Sequence, residues 1–533
     1  MKRWEIMFAI AGALLLGLSA WAIHRDELPH RDFVFIAGSC HMPVTVLAPV
    51  KRAPRASAII FHGLSANRRV MQTLGAYLAV DASLRVYLID LPGHGDSTDR
   101  FTFARAEECA DIAVESMIRS GEIDPKTTIV IGHSMGGAIA IRLADREPVA
   151  ATIAISPAPM VLPRRMPANL LVFSAKGDFD ILKRQALQLS QAAAGERTAS
   201  DDFLQARAFH LEVVSLSDHT SVLYDPRVLQ DASDWSHDAL DADGRKAAGL
   251  NEWNDRIRWD RWDTLSVDRW GVKAHLLLLL TAYAKIAPLF GCVGILMLFP
   301  FCATIASSFA GSQQTAFAVK RPAQLLVLAE GAVCALAAAL ILALFVPLKF
   351  LHIYAGDYLA SLLLIAGALL LALNWKSAKE CWPPGARPLI AAAVLGFATF
   401  VAFGAWLNWQ LTDMWMNAPR WLRFAALVPV AWIFCFAEEV VLGPVGKGWA
   451  RALRLATSLA LRAELWLACL LTYYALGSGQ VLILILVTAL ALFSILQRVA
   501  TDALRLRTGS AGAAALFDAI LAAWFIAAVF PLT

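Results

Sequence analysis

Charge is what this sequence has least of. Only 17% of its 533 residues are Asp, Glu, Lys or Arg, where a soluble domain carries about 25%. Cysteine is sparse, at eight residues, and the second half holds just two histidines, His275 and His352. A chain this apolar is neither disordered nor collagen-like, and its cysteines are too few for a disulfide scaffold. The missing charge is unevenly distributed. Residues 24–272 hold 28 Lys/Arg against 33 Asp/Glu, whereas residues 273–533 hold 17 against 9. The polar half is therefore acidic and the basic half hydrophobic, which excludes nucleic-acid binding. A water-soluble domain joined to a polytopic membrane domain accounts for both halves.

Residues 6–23 form an apolar run behind Lys2 and Arg3, long enough for a hydrocarbon core that needs about 20 residues. Ala20-Trp21-Ala22 also has the small-x-small pattern of a cleavage site. A retained anchor is the first reading and a removed signal peptide the second; either one exports the chain beyond residue 23. Further spans are expected near 286–306, 323–346, 357–374, 388–408, 422–442, 460–477, 480–497 and 511–531. The loops between them place twelve Lys/Arg on the side of Lys2 and Arg3, and four (Lys273, Lys349, Arg420 and Arg423) on the other. Positive residues mark the cytoplasmic face, so residues 24–272 are expected outside the cytoplasm, as in a bacterial inner-membrane protein with a periplasmic domain. Of the cysteines, Cys40 and Cys109 fall in the exported part, where they either pair or remain free thiols.

The exported part alternates short β-rich runs with helical periodicity. Strands are expected at 32–37, 43–48, 57–61, 85–90, 127–131, 151–155, 170–174 and 211–215. Helices are expected at 66–80, 104–120, 135–146, 179–194 and 220–235. Continuous apolar strands with helical crossovers predict an α/β domain, with a mostly parallel sheet covered on both faces.

Strand 127–131 runs into Gly132-His133-Ser134-Met135-Gly136-Gly137 and then a helix. Gly-x-Ser-x-Gly alone is weak, but a strand-turn-helix around it exposes the serine hydroxyl at a helix N-terminus. A serine hydroxyl needs a base, and the base an acid, so histidine and aspartate should come later in the chain. Asp178 comes just after strand 170–174 and His219 just after strand 211–215, at strand ends where open α/β sheets bind ligands. Asp180 is the alternative acid. Backbone N–H groups of Met135 and of Leu64, in His62-Gly63-Leu64, are the expected oxyanion donors.

These pieces, together with Asp90-Leu91-Pro92-Gly93-His94-Gly95-Asp96-Ser97, resemble the α/β-hydrolase superfamily over residues 32–235. The similarity is to the branch of monoacylglycerol lipases and serine aminopeptidases (S33-like). The resemblance implies the α/β-hydrolase fold, a serine nucleophile and structural loop roles for His62, His94 and His133. It says little about substrate. The sequence departs from the family in one respect. Only Ser156 to Asn169 separate the sixth and seventh strands, rich in proline, methionine and arginine, so no helical lid fits there.

The expected organisation is an N-terminal segment (1–23), a hydrolase domain (24–235), a Trp-rich linker (236–272) and about eight transmembrane helices (273–533). Trp235, Trp253, Trp259, Trp262 and Trp270, with Arg256, Arg258, Asp260 and Arg261, suit a membrane interface or a last helix packed under the hydrolase domain. Glu330, Glu438, Glu439, Glu464 and Asp518 lie within spans, with Lys285 at a span entrance. There they either pair between helices or line a pathway. Glu438-Glu439 is similar to the paired glutamates of intramembrane CAAX-type proteases. Gly443 stands where those have arginine, and the histidine ligands are missing.

The expected function is a membrane-integrated serine hydrolase of a small-molecule or lipid carboxylic ester, without cofactor or metal. Arg68 and Arg69 are either a solvated helix start or contacts for an anionic head group. A peptidase or an acyltransferase on the same triad is the second reading. A transporter or scaffold with a non-catalytic hydrolase-like domain is the alternative of another class.

Overall fold

The computed structural model describes residues 3–49, 53–196, 203, 205–241, 271–310, 324–345, 349–382, 385–477, 482–483 and 486–533. They form two compact units. One comprises Trp21–Pro288, Leu407–Asp413 and Pro531–Thr533; the other comprises Met1–Ala20, Leu289–Trp406 and Met414–Phe530.

The first unit is built on an eight-stranded sheet. Its strands are β1 (His30–Ala37), β2 (Cys40–Leu47), β3 (Ala56–Phe61), β4 (Leu84–Ile89), β5 (Thr128–His133), β6 (Ala151–Ile155), β7 (Leu170–Ala175) and β8 (Phe209–Val214). The order is β1-β2-β4-β3-β5-β6-β7-β8. β1 pairs antiparallel with β2, and β2 with β4, while every later pairing is parallel. Each of the eight expected strands is present, shifted by at most a few residues. The parallel strands β5, β6 and β7 are buried along their whole length, which is why they read as continuous apolar runs rather than alternating ones.

Helices α2 (Gln72–Asp81), α3 (Phe103–Arg119), α4 (Met135–Arg146), α5 (Asp180–Glu196) and α6 (Pro226–Leu240) cover the two faces; α1 is the N-terminal helix Arg3–Asp26. One core gathers Ile60, Leu74, Leu78, Leu88, Phe173 and Trp235. The other sets Ile141, Val172, Ala186 and Leu189 together. Each Val, Leu, Ile or Phe among them contributes about 1.5–3 kcal/mol when fully buried. Trp235 donates its indole N–H to the Asn169 carbonyl at 2.7 Å, so it belongs to the core. Trp253, Trp259, Trp262 and Trp270, with Arg256, Arg258, Asp260 and Arg261, lie outside the described residues.

Two expected helices begin late, for local reasons. Asn67 Oδ1 accepts the Arg69 N–H at 3.1 Å in a turn of its own, and α2 starts only at Gln72. Ser221–Tyr224 forms a 3-10 turn, after which Asp225 caps α6 and Pro226 opens it, the position where a missing N–H costs nothing. Among the described residues no helix lies between β6 and β7. Cys40 and Cys109 form a disulfide between the start of β2 and α3, with Cα atoms 5.6 Å apart.

The second unit is helical. After α7 (Gly271–Ala310) come α8 (Gln324–Phe345), α9 (Gly356–Leu373), α10 (Trp375–Glu380), α11 (Ala386–Gln410), α12 (Ala418–Leu442), α13 (Trp449–Leu476), α14 (Val487–Thr508) and α15 (Ala511–Val529). Among the described residues, eight helices are long and apolar enough to cross a membrane: α1, α7, α8, α9, α11, α12, α13 and α15. The expected span at 480–497 falls partly outside the described residues. The helix found there, α14, runs on into Arg498, Asp502, Arg505 and Arg507 and is not among the eight.

Arg420 and Arg423, which sit on the charge-poor side by sequence, serve the helices themselves. Buried Arg420 donates to the carbonyls of Ala527, Ala528 and Phe530 at 2.5, 3.1 and 3.0 Å, satisfying the carbonyls left over at the end of α15. Arg423 donates to the Leu351 carbonyl at 2.7 Å.

Candidate active site

β5 ends at His133 and α4 begins at Met135, leaving Ser134 between them at φ 53° and ψ −114°. A left-handed φ is unusual for a residue with a side chain and persists only where its surroundings over-determine it. Here the Ser134 N–H donates to the Ile155 carbonyl and its own carbonyl accepts the Ala158 N–H, both at 2.9 Å. Gly136 makes the turn possible, because a Cβ there would collide with the Phe61 carbonyl. The hydroxyl is thus presented at the start of α4, where first-turn N–H groups lack intrahelical acceptors.

The two expected partners come from neighbouring strand ends. His219 Nε2 lies 3.0 Å from Ser134 Oγ, and His219 Nδ1 lies 2.8 Å from Asp178 Oδ1. The chain of bonds is internally consistent: Nδ1–H donates to the carboxylate, and Nε2 accepts from the hydroxyl. Asp178 also accepts the Ser156 hydroxyl at 2.6 Å and the Ala175 N–H at 3.0 Å. Burial alone would raise its pKa, but the bonds from His219, Ser156 and Ala175 hold the carboxyl below the ordinary value. Ser134, Asp178 and His219 are all buried. Asp180, the alternative acid, has a side chain 81% exposed and pairs with Lys183 at 2.9 Å.

Leu64 lies in the turn that joins Gly63 to Ala66, whose N–H donates to the Gly63 carbonyl at 3.1 Å. Met135 opens α4. The other histidines brace loops. His62 Nδ1 meets the Gly63 carbonyl at 2.8 Å while its Nε2 accepts the Leu91 N–H at 3.0 Å. His94 Nδ1 meets the Pro92 carbonyl at 2.9 Å. His133 Nε2 meets the His219 carbonyl at 2.8 Å, and burial beside His219 pushes its pKa down to about 3.

Arg68 and Arg69 differ from both expectations. Arg68 is buried, bonded to Asp90 and, at 2.7 Å, to Asp96; Arg69 reaches Asp32 at 3.2 Å. Partners distant in sequence draw both inward, so neither is a solvated helix start. Among the described residues, one acidic group has ligand atoms within 4.8 Å of one another: Asp90, Asp96 and Asp413. Arg68 already supplies its positive charge. Asn67, Ser156 and Asp413 escaped the sequence reading, because nothing local distinguishes them from other loop residues.

Residues 58–294 match the profile of the Alpha/beta hydrolase family. A pimeloyl-[acyl-carrier protein] methyl ester esterase of Nitrosospira multiformis is 32% identical over 90 residues, covering 17% of this chain and 33% of that protein. A probable alcohol acetyltransferase of Saccharomyces cerevisiae is 34% identical over 96 residues, covering 18% of this chain and 28% of that protein. The chain thus spans about a third or less of the length of these curated relatives. Among solved structures, a predicted CIB-like hydrolase from Thermoplasma acidophilum is similar at a TM-score of 0.32 and 18% identity, covering 39% of this chain and 98% of that one. The chain has an α/β-hydrolase fold with a mostly parallel sheet, followed by an all-helical region with several long apolar helices.

Proposed function

We propose that this protein is a membrane-integrated serine esterase acting on a carboxylic ester with an apolar or lipid part. The observation that carries the proposal is the unbroken hydrogen-bond chain Ser134–His219–Asp178, at 3.0 and 2.8 Å. Ser134 Oγ attacks the ester carbonyl while His219 Nε2 takes its proton. Asp178 holds the ring and stabilises the imidazolium. The Leu64 and Met135 N–H groups receive the oxyanion. The tetrahedral intermediate collapses, His219 gives its proton to the leaving alkoxide, and an acyl-enzyme remains. Water, deprotonated by His219, releases the acid and restores Ser134. This is the chemistry of the monoacylglycerol-lipase and serine-aminopeptidase-like branch that the motifs resemble.

Exposed side chains on the loops near the triad in sequence support an apolar substrate. The loops after β6, β7 and β8 expose Val161 at 85%, Phe179 at 40% and Leu216 at 95%. Exposed apolar residues on the loops that carry the triad acid and base suit an acyl chain better than a peptide backbone. The Cys40–Cys109 disulfide supports an oxidising, extracytoplasmic location for this unit, in line with the Lys/Arg asymmetry of the loops.

The test is labelling of the full-length protein with a fluorophosphonate, alongside hydrolysis of short p-nitrophenyl esters. Both are expected in the wild type and absent in Ser134→Ala; no labelling of the folded wild type overturns the proposal. A cytoplasmic signal from a reporter fused at residue 200 would overturn the orientation. Acyl transfer to an alcohol is the second reading, favoured by the yeast relative's description. An ester product formed in the presence of added alcohol, in place of free acid, would select it.

A further inference from the structure

The oxyanion turn lies between β3 and α2 and carries His62, Gly63 and Leu64. It is under strain. Ser65 sits at φ 60°, a conformation that a non-glycine residue keeps only where its surroundings enforce it. It is also close to the nucleophile, since a Cβ on Gly63 would stand 3.1 Å from Ser134 Cβ. A small shift of this turn would therefore move an oxyanion donor relative to the attacking hydroxyl.

The far end of the turn is held by Asn67, itself buried. Its Oδ1 accepts the Arg69 N–H and the Asp413 N–H, each at 3.1 Å, and its Nδ2 donates to Thr412 Oγ1 at 3.0 Å. Thr412 and Asp413 lie 345 and 346 residues further along the chain, in the stretch between α11 and α12. The segment Leu407–Asp413 nevertheless belongs to the hydrolase unit.

The neighbouring residue is tied to the same place. The Arg68 N–H donates to Asp90 Oδ1 at 2.7 Å, and its guanidinium bonds Asp90, Asp96 and Thr45. Asp413 completes a group of three carboxylates beside this one arginine. Burial, with Asp96 and Asp90 beside it, pushes the Asp413 carboxyl up to about 8. Near neutral pH it therefore keeps its proton, which an Asp96–Asp413 hydrogen bond can share. Leu532 ties down the loop after β4 in a similar way: its N–H donates to the Gly93 carbonyl at 2.9 Å and its carbonyl accepts the Phe101 N–H at 2.6 Å.

We propose that Asn67, Thr412 and Asp413 are positioning residues that set the oxyanion turn Gly63–Asn67. The hydrolase unit is then catalytically complete only with the segment Leu407–Asp413 in place. The proposal rests on the esterase reading of the triad. A buried amide whose oxygen takes the N–H groups of Arg69, Val70 and Asp413 and whose nitrogen donates to a hydroxyl cannot rotate without leaving groups unpaired. It therefore transmits the position of a remote segment to the turn.

The test uses the full-length protein in detergent, with active sites counted by exhaustive fluorophosphonate labelling. kcat per labelled site is measured on p-nitrophenyl butyrate. Thr412→Val keeps the side-chain shape without the hydroxyl, and Thr412→Ser keeps the hydroxyl. We expect Thr412→Val and Asn67→Ala to lower kcat per site by about tenfold to a hundredfold, with KM changed by less than about twofold. Thr412→Ser should recover the loss. Asp413→Asn should move the alkaline limb of the pH profile upward, since Arg68, Asp90 and Asp96 then face a group that cannot ionise. Wild-type kcat per site in Thr412→Val and Asn67→Ala, Thr412→Ser as impaired as Thr412→Val, or an unmoved alkaline limb would each overturn the clamp and leave the esterase reading standing. A folded wild type that neither labels nor hydrolyses the ester overturns that reading, and the clamp with it.

Discussion

The two units bury charge for different ends. In the hydrolase unit, buried ionisable groups gather at the site and in the loops beside it: Asp178 with His219, Arg68 with Asp90. In the helical unit they gather with one another. Arg498 reaches Glu439 at 2.8 Å, Asp502 at 3.0 Å, Asp518 at 3.1 Å and Glu438 at 3.4 Å. Arg462 holds Asp518 at 2.6 Å and Glu438 at 2.8 Å; Arg454 holds Glu439 at 2.8 Å and also bonds Asp502. Among apolar helices an unpaired charge is too costly to keep, and here arginines from α13 and α14 answer acids from α12, α14 and α15. The same residue types therefore build the candidate site in one unit and a cohesive network in the other. Glu438-Glu439, expected either to pair between helices or to line a pathway, is occupied by arginines.

The contrast can be broken most sharply at the triad. Asp178→Asn should lower kcat by about 10⁴, because His219 loses the acceptor that fixes its tautomer. Asp180→Asn should leave ester turnover within about twofold of wild type, in line with surface substitutions generally. Equal losses from the two variants would refute the assignment of the acid.

The next largest effect belongs to the helical unit. Arg498→Met leaves carboxylates buried without their shared partner and should destabilise by about 3–5 kcal/mol, read as a lower unfolding temperature in detergent. Arg55→Ala breaks an exposed pair with Asp241, at 2.8 Å in the hydrolase unit, and should cost less than about 1 kcal/mol. A smaller loss from Arg498→Met than from Arg55→Ala would remove the distinction between the units.

Reduction of Cys40–Cys109, or Cys40→Ser with Cys109→Ser, should cost about 2–4 kcal/mol. The loss should appear in the unfolding of the hydrolase unit and leave the helical unit unchanged. An equal shift in both would show that they unfold as one.

A last effect concerns pH. Folded His133, with its pKa pushed down to about 3, refuses a proton that the unfolded chain accepts near 6.5. Its contribution is intact above pH 6.5 and declines as pH falls from there towards 3. Asp178, held below its ordinary 3.8, adds stability above that value and loses it as pH falls further. Both make acid unfavourable. His133→Gln should flatten the decline of unfolding temperature below pH 6.5, and an unchanged slope would refute the assignment.

Much of the hydrolase unit is readable locally. Strand runs such as Thr128–His133 and Ala151–Ile155 are apolar throughout because both faces are covered, and the Ser134 elbow follows from its glycines. Asp178 stands ahead of Asp180 because it follows the strand by a normal turn. Arg68 could not be read, since its partners Asp90 and Asp96 are 22 and 28 residues away and a paired arginine looks in sequence like a solvated one. The expected span at 480–497 rests on apolar residues alone. The helix there continues through charges that become tolerable only when Glu438, Glu439 and Asp518 reach it from other helices.

Periodicity, turn residues and the order serine, aspartate, histidine act over a few residues at a time, so the sequence by itself determined the α/β architecture and the division between a polar and an apolar region, and it singled out Ser134 as the candidate nucleophile. Partner choice was left to the tertiary structure: Cys40 with Cys109, Arg498 with Glu438, Glu439 and Asp518, and Asn67 with Thr412 and Asp413. Each is a pairing across tens to hundreds of residues, and burial makes the pairing obligatory without marking in the local sequence which partner will come.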